Sequence, residues 1–207
     1  MQLRLPETVE YDLSVIIVSY NTRDIVLACV QSVLDCKDAL SVEIIVVDNC
    51  SQDGSVAALR SIFPDIKVIE SPANAGFSYG NNIGMEQCHG RYILMLNPDT
   101  EVQPAAFTSA ISYLEDHPHV GMLGAQISYP DGKPQNSMIR FLSLKTLFFL
   151  TFLPSRMVVE NPLLGDHRYG SLNADTINHV DCVMGSFMFT RRAVIEEVGG
   201  LDHRFFK

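Results

Sequence analysis

The sequence has no cluster of basic residues. Its 15 lysines and arginines are outnumbered by 24 aspartates and glutamates, giving a formal net charge of −9. Without a Lys/Arg block there is no basic face, which argues against nucleic acid as a partner. An anionic ligand would have to be held by a metal and by backbone amides, not by a general positive field. Paired cysteines are also missing. Cys29, Cys36, Cys50, Cys88 and Cys182 are odd in number, scattered, and form no CxxC. That pattern favours reduced thiols in a cytoplasmic setting over a disulfide framework or a zinc site. Residues 1–12 carry charges and no apolar core, so they do not read as a signal peptide. No apolar run reaches the roughly 20 residues that span a bilayer. The most apolar segment, Phe141–Pro154, is shorter and is interrupted by Lys145. It reads as a buried helix, with an interfacial or partner-facing helix as the alternative. Internal repeats and low-complexity segments are absent. What remains is 207 residues, 47% of them hydrophobic, enough for one sizeable α/β core.

Strands and helices alternate along the first half. Residues 13–18, LSVIIV, form a β-branched run typical of a parallel strand buried on both faces. A helix follows from about Asp24 to Cys36, with Val26, Val30, Val33 and Leu34 on one face. EIIVVDN (43–49), KVIES (67–71) and YILML (92–96) give further strands. Between them, a short helix opens at Asp53-Gly54-Ser55 with Val56, Leu59 and Ile62 inward, and GFSYGNNIGMEQCHG leads into another. Pro104 sits near the start of a helix striped by Phe107, Ala110, Ile111 and Leu114 and ended by His117-Pro118. Beyond Gly121, Pro130-Asp131-Gly132 marks a turn after a strand. Residues 154–178 read as irregular loops, 180–190 as strand, and 191–200 as a short helix closed by Gly199-Gly200. The alternation predicts an α/β fold: a mostly parallel, Rossmann-like sheet flanked by helices.

Polar clusters fall at the strand ends. RYILMLNPDT (91–100) delivers Asp99 to the end of an apolar strand, where open α/β sheets keep their ligand crevice. The same Asn-Pro-Asp-Thr also reads as a simple turn. After the first strand, Ser19-Tyr20-Asn21-Thr22 offers a ring for stacking and polar groups for a base, or a cap for the next helix. VVDNCSQDGS (46–55) gathers carboxylate and carboxamide acceptors suited to an imide N–H or ribose hydroxyls. NAGFSYGNNIG (74–84) crowds glycines and asparagines into a string that is poor helix material. Its glycines would let backbone approach a ligand, and its helix-start amides would favour phosphate. No Gly-rich, Arg/Lys-bearing loop follows the first strand, which leaves a nucleotidyltransferase without support.

In this order, SYNT, VVDNCSQDGS, NAGFSYGNNIG, LNPDT and GSFMFTRRAVIEEVGGLDHRFF resemble family 2 glycosyltransferases. The likeness is to the rhamnosyltransferase-like branch that builds bacterial surface polysaccharides, and it covers roughly residues 12–206. The resemblance implies a glycosyltransferase-A fold in one continuous domain. About 12–100 would form the nucleotide-sugar half and about 101–207 a partial acceptor half. It also implies inverting transfer from a nucleoside-diphosphate sugar, dTDP- or UDP-linked, to a glycan or lipid-linked acceptor, with Mg²⁺ or Mn²⁺ as cofactor. The alternative is a module that binds nucleotide sugar without transferring it. Contact with a membrane surface, at the inner face of the cell membrane, or with a second copy of the chain is expected of Phe141–Pro154.

Carried over by position, Ser19, Tyr20 and Asn49 would line the base, with Asp48 beside the nucleoside and Asn81 and Asn82 near the diphosphate. Asn21, Asn74 and Gly76 complete the expected nucleotide-binding set. Asn97-Pro98-Asp99 stands where the family has its Asp-x-Asp metal motif, with Asn97 in place of the first carboxylate. Asp99 would then be the main protein ligand and Asn97 a weaker one through its carbonyl. The family's general base is an Asp in a Glu-Asp pair shortly after the GGFD–FF segment. Here that segment reads Gly199-Gly200-Leu201-Asp202 and Phe205-Phe206. The base is therefore expected beyond Lys207, with Asp202 in the structural lead-in and His203 a minor candidate.

Overall fold

The computed structural model describes residues 3–135, 137–139, 141, 144–153 and 176–206. Loops expected at 154–175, and Pro154 at the end of the apolar segment, lie outside the described residues. The chain divides into two compact units, one formed by residues 1–123 and 185–207, the other by residues 124–184.

In the first unit, strand β1 (Tyr11–Ser19) is followed by α1 (Arg23–Asp35), β2 (Val42–Asp48), α2 (Ser55–Ile62) and β3 (Lys67–Glu70). Then come α3 (Gly76–Met85), β4 (Gly90–Leu96), α4 (Ala106–Asp116) and β5 (Met122–Leu123). The sheet runs β3-β2-β1-β4, then β10 (Phe187–Arg191), then β5. The first four strands are parallel, while β10 is antiparallel to both of its neighbours. The apolar runs explain this core. Ile16, Ile45, Val47, Ile93 and Met95 face one side, and the alternating Val15, Ile17, Ile44, Val46, Leu94 and Leu96 face the other; all are 4% exposed or less. Right-handed crossovers place α1 and α2 on one face. The return from β3 across β1 to β4 places α3 on the opposite face. The connection reverses direction between β1 and β4, which puts the ligand crevice at their C-terminal ends.

The Asn/Gly string is itself the helix α3. Two interior glycines cost roughly 2 kcal/mol in helix propensity relative to alanine. The gain is proximity. A methyl group at Gly80 would lie 2.7 Å from Val18 Cγ1, and one at Gly84 would collide with Ile16, so α3 lies unusually close to β1. These glycines therefore serve helix-on-strand packing, not close approach to a ligand. In α2, Leu59 is buried as expected, but Ile62, in the final residue of the helix, is 55% exposed. Helix α6 (Arg192–Val198) follows β10 directly. At that junction, Arg191 donates to the carbonyls of Leu114, Val120 and His117, closing the C-terminus of α4. Arg192 donates to the carbonyls of Pro6 and Cys88 and pairs with Glu196.

The second unit holds a hairpin of β6 (Ile127–Ser128) and β7 (Pro134–Gln135), turned at Pro130-Asp131-Gly132 as the sequence predicts. It also holds the pair β8 (Met138–Ile139) and β9 (Cys182–Val183), and helix α5 (Leu144–Phe152). The expectation of a buried helix fails here. Phe141, Leu144, Leu147, Phe148 and Phe152 are all more than half exposed. Among the described residues no helix is long and apolar enough to cross a membrane.

Candidate nucleotide-sugar site

Parallel register brings the polar clusters to one edge of the sheet. Ser19 is level with Asp48, Asp48 with Glu70, and Ile17 with Leu96, one residue before Asn97. Ser19, fully buried, shares a hydrogen bond with Thr22 (2.9 Å). Tyr20 beside it is half exposed, its ring free to meet a flat partner.

The loop after β1 and the loop after β2 are stitched together. Asn21 adopts a left-handed backbone (φ 51°); its N–H donates to Ser51 Oγ and its Oδ1 accepts from Gln52 N, each at 2.8 Å. Asp53 accepts from Arg23 N (2.8 Å) and from Ser55. The Ser55 hydroxyl is the main reason the Asp53 carboxyl sits below the usual range, helped by the Arg23 and Ser55 amides. Asn21 is thus engaged in holding the rim.

Among the described residues three buried acceptors have no donor: Asp48 Oδ1, Asn49 Oδ1 and Asn81 Oδ1. Their residues are 2%, 2% and 1% exposed. The other side-chain atom of each is engaged: Asp48 Oδ2 accepts from Ser51 N (2.8 Å), Asn49 Nδ2 donates to Gly76 O (3.2 Å), and Asn81 Nδ2 donates to Phe77 O (2.9 Å). A buried acceptor without a donor costs about 1–3 kcal/mol. Asp48 and Asn49 at the end of β2 and Asn81 on α3 thus offer acceptors to a ligand rich in O–H and N–H groups.

The start of α3 is already occupied. Phe77 N donates to Phe206 O (2.8 Å), and Gly76 N donates to Asn74 Oδ1 (3.2 Å). Gly76 (φ 88°) lies against the Phe206 carbonyl, which a side chain there would strike. These two helix-start amides therefore serve chain contacts instead of phosphate. Asn82 is likewise engaged: Nδ2 donates to Leu201 O (2.7 Å) and Oδ1 accepts from Leu201 N (2.8 Å). Asn82 and Asn81 are neighbours in sequence, but only Asn81 has a free acceptor.

At the end of β4, Thr100 N donates to Asn97 O (3.2 Å), closing a turn with Pro98 and Asp99 at its corners. Asn97 N donates to Ser186 O (3.2 Å), just before β10. Asn97 is half-buried and Asp99 exposed. The Cys29 thiol beneath them is pushed up to about 12, first by burial and then by the nearby Asp99 carboxylate. Among the described residues no three His, Cys, Asp or Glu side chains converge as a metal cage. One carboxylate and one carboxamide at a turn fit a hard cation that keeps water and borrows phosphate oxygens. Asp202 is paired with Arg204 (2.5 Å), which holds its carboxyl down to about 2.

Ser186 and the residues under the turn, Cys29, Ser32 and Cys36, leave only a slight signal in the sequence: small heteroatom side chains at i, i+3 and i+7, interleaved with the apolar stripe of α1.

An open, mostly parallel sheet with polar side chains gathered where its strands end is a frame on which α/β proteins hold ligands. Residues 14–199 match glycosyl transferase family 2, and the chain belongs to that family. An N-acetylglucosaminyl-diphospho-decaprenol L-rhamnosyltransferase of Mycobacterium tuberculosis is 25% identical over 80% of this chain and 57% of its own length. The succinoglycan biosynthesis protein ExoO of Rhizobium meliloti is 31% identical over 45% of this chain and 27% of its own. The chain thus spans little more than half the length of these relatives, or less. Among solved structures, a mannosyltransferase of Pyrobaculum calidifontis in complex with GDP-Man and Mn²⁺ shares the fold (TM-score 0.61, 17% identity, 97% of this chain and 50% of that one). So does TarS 1–349 of S. aureus (TM-score 0.61, 18% identity, 95% and 52%). The glycosyltransferase-A fold expected from the sequence is the fold observed.

Proposed function

We propose that this protein transfers a sugar, with rhamnose as the candidate, from a nucleoside-diphosphate sugar to a glycan or lipid-linked acceptor in surface polysaccharide synthesis, with inversion at the anomeric carbon. The observation that carries the reading is the set of unpaired buried acceptors Asp48 Oδ1 and Asn49 Oδ1 at the end of β2 and Asn81 Oδ1 on α3. A pyrimidine nucleoside supplies the missing donors. Its imide N–H would meet Asn49 Oδ1, and sugar hydroxyls would meet Asp48 Oδ1 and Asn81 Oδ1. The half-exposed Tyr20 ring would stack on the base, and Ser19 would keep the turn beneath it in place. Asp99, with Asn97 second, would hold Mg²⁺ or Mn²⁺, which when bound neutralises charge developing on the leaving diphosphate. Asn21 and Asn74 would act by shaping the site, whereas Asn82 holds Leu201. The rhamnosyl and lipid-linked elements rest on the name of the mycobacterial relative.

The exposed apolar residues of α5 support contact with the membrane surface that carries such an acceptor, or with a second copy. Liposome flotation and sedimentation test this, and a monomer that ignores vesicles ends it. A second reading is a module that binds nucleotide sugar without transfer; Asp202, paired with Arg204, belongs to the structural lead-in and is not offered as the base. Product analysis with donor and acceptor together separates the two.

The main test is titration calorimetry of UDP, dTDP, ADP and GDP, with and without Mn²⁺. Pyrimidine nucleotides should bind tighter, and Asp99→Ala should abolish the Mn²⁺-dependent part alone. A purine preference removes the base assignment; equal Mn²⁺ response in the variant removes the metal assignment.

A further inference from the structure

The turn that presents Asp99 is held from below by a row of short side chains on α1. Cys29 and Ser32 on α1 and Cys36 at its C-cap are spaced i, i+3, i+7 along one side. Each bonds to backbone of the segment from Asn97 to Val102. Cys29 Sγ donates to Asn97 O (3.6 Å). Ser32 Oγ accepts from Val102 N (2.9 Å) and donates to Cys29 O (2.7 Å). Cys36 Sγ donates to Val102 O (3.3 Å). The thiols are 1% and 6% exposed, and Val102 is 6% exposed. On the other side, Ser186 O accepts from Asn97 N and from Thr100 Oγ1 (3.4 Å). Asp99 is therefore the exposed crest of a short segment fixed at both feet, 68 and 70 residues from its anchors on α1.

The two cysteines are buried and Ser32 is half-buried, and the polar atoms of all three are engaged with backbone. Their heteroatoms have one visible task, to fix the path of Asn97–Val102. A serine that both accepts and donates is fully committed, so its removal leaves the Val102 N–H without a partner.

We infer that Cys29, Ser32 and Cys36 are positioning residues that set the height and direction of the Asp99 carboxylate for cation-assisted diphosphate binding. The inference rests on the assignment of the cation to Asp99. It concerns orientation of one ligand, not integrity of the fold. A small error in the position of this carboxylate is costly because, among the described residues, no three His, Cys, Asp or Glu side chains converge to share the ion.

The test compares wild type, Ser32→Ala and Ser32→Thr by titration with UDP in the presence and absence of Mn²⁺, alongside amide exchange at Val102. Ser32→Ala should lose about five- to tenfold of the Mn²⁺-dependent gain in affinity, the loss expected of one buried hydrogen bond. UDP affinity without metal should stay unchanged, Val102 exchange should accelerate, and Ser32→Thr, which keeps the hydroxyl, should restore both. If Ser32→Ala does not fold, Cys29→Ala and Cys36→Ala are read by the same ratio. An Mn²⁺ gain in Ser32→Ala equal to that of wild type overturns the inference and leaves the Asp99 assignment standing. So does an equal loss with and without metal. A wild-type chain that binds UDP but shows no Mn²⁺ gain overturns the Asp99 assignment and the positioning role together.

Discussion

Asn82 separates a ligand-binding role from a structural one most cleanly. Its amide makes two bonds to one residue, donating to Leu201 O at 2.7 Å and accepting from Leu201 N at 2.8 Å. Asn82 is 3% exposed. Asn82→Ala removes both bonds and leaves the Leu201 amide and carbonyl unpaired near the core. Each lost bond costs about 0.5–1.5 kcal/mol, and each group stranded from water adds to that, so the total is about 2–4 kcal/mol. For a domain of this size, the melting temperature falls by about 2–4 °C per kcal/mol, so a drop of roughly 4–16 °C is expected. That is a sizeable share of a stability of about 5–15 kcal/mol. Asn82→Asp should fall between the two, since it can accept from Leu201 N but cannot donate to Leu201 O. Thermal denaturation and UDP titration on the same samples are the assay. Below its melting temperature, Asn82→Ala should bind UDP with Mn²⁺ as wild type does. A variant that melts with wild type yet binds UDP tenfold more weakly would refute this reasoning and return Asn82 to the diphosphate.

Gly84→Ala should destabilise by about 1–3 kcal/mol through overpacking against Ile16, more than the roughly 1 kcal/mol it gains in helix propensity; a variant as stable as wild type in urea would show that α3 can move off β1. The Asp202 carboxyl titrates near 2 in the folded chain, below its value of about 3.9 when unfolded. Its contribution to stability is therefore present above pH 4 and lost as pH falls from about 4 towards 2, and Asp202→Asn should flatten that part of an acid denaturation curve without changing UDP affinity at pH 7. Of the thiols, exposed Cys50 should react first with iodoacetamide, while buried Cys29, Cys36 and Cys88 stay unmodified in the native chain; mass mapping that finds Cys29 labelled as fast as Cys50 contradicts the burial of the α1 row.

The parallel strands are legible in the sequence because burial on both faces demands unbroken runs, and LSVIIV, EIIVVDN and YILML have no other reading. The turn at Asn97-Pro98-Asp99 is legible for a local reason, since Pro fits its first corner. What is hidden depends on distant partners. In α3, information lies in what Gly80 and Gly84 lack, and propensity scores that lack as a defect. Only the nearness of Val18 and Ile16 turns it into a packing surface. Asn82 looks equivalent to Asn81 on paper, yet its task is set by Leu201, 119 residues away. The antiparallel insertion of β10 beside β4 leaves no local trace either. The apolar run at Phe141–Pro154 is misread as buried because hydrophobicity alone does not say which surface covers it.

The stitching of the first two loops changes how this site can diverge. Asn21 and Arg23 are pinned to Ser51, Gln52 and Asp53, so the two loops form one mechanical piece instead of two independent arms. Such a piece is preorganised, and a ligand need not supply the roughly 0.5–1.5 kcal/mol per side chain that ordering a loose rim would cost. The same rigidity narrows tolerance. Inserting or deleting one residue between Cys50 and Gly54 would break bonds in both loops at once, although only one is altered. Under the proposed nucleotide assignment, changes of preference should therefore come by substitution at Tyr20, Asn49 or Asn81, and not by remodelling loop length.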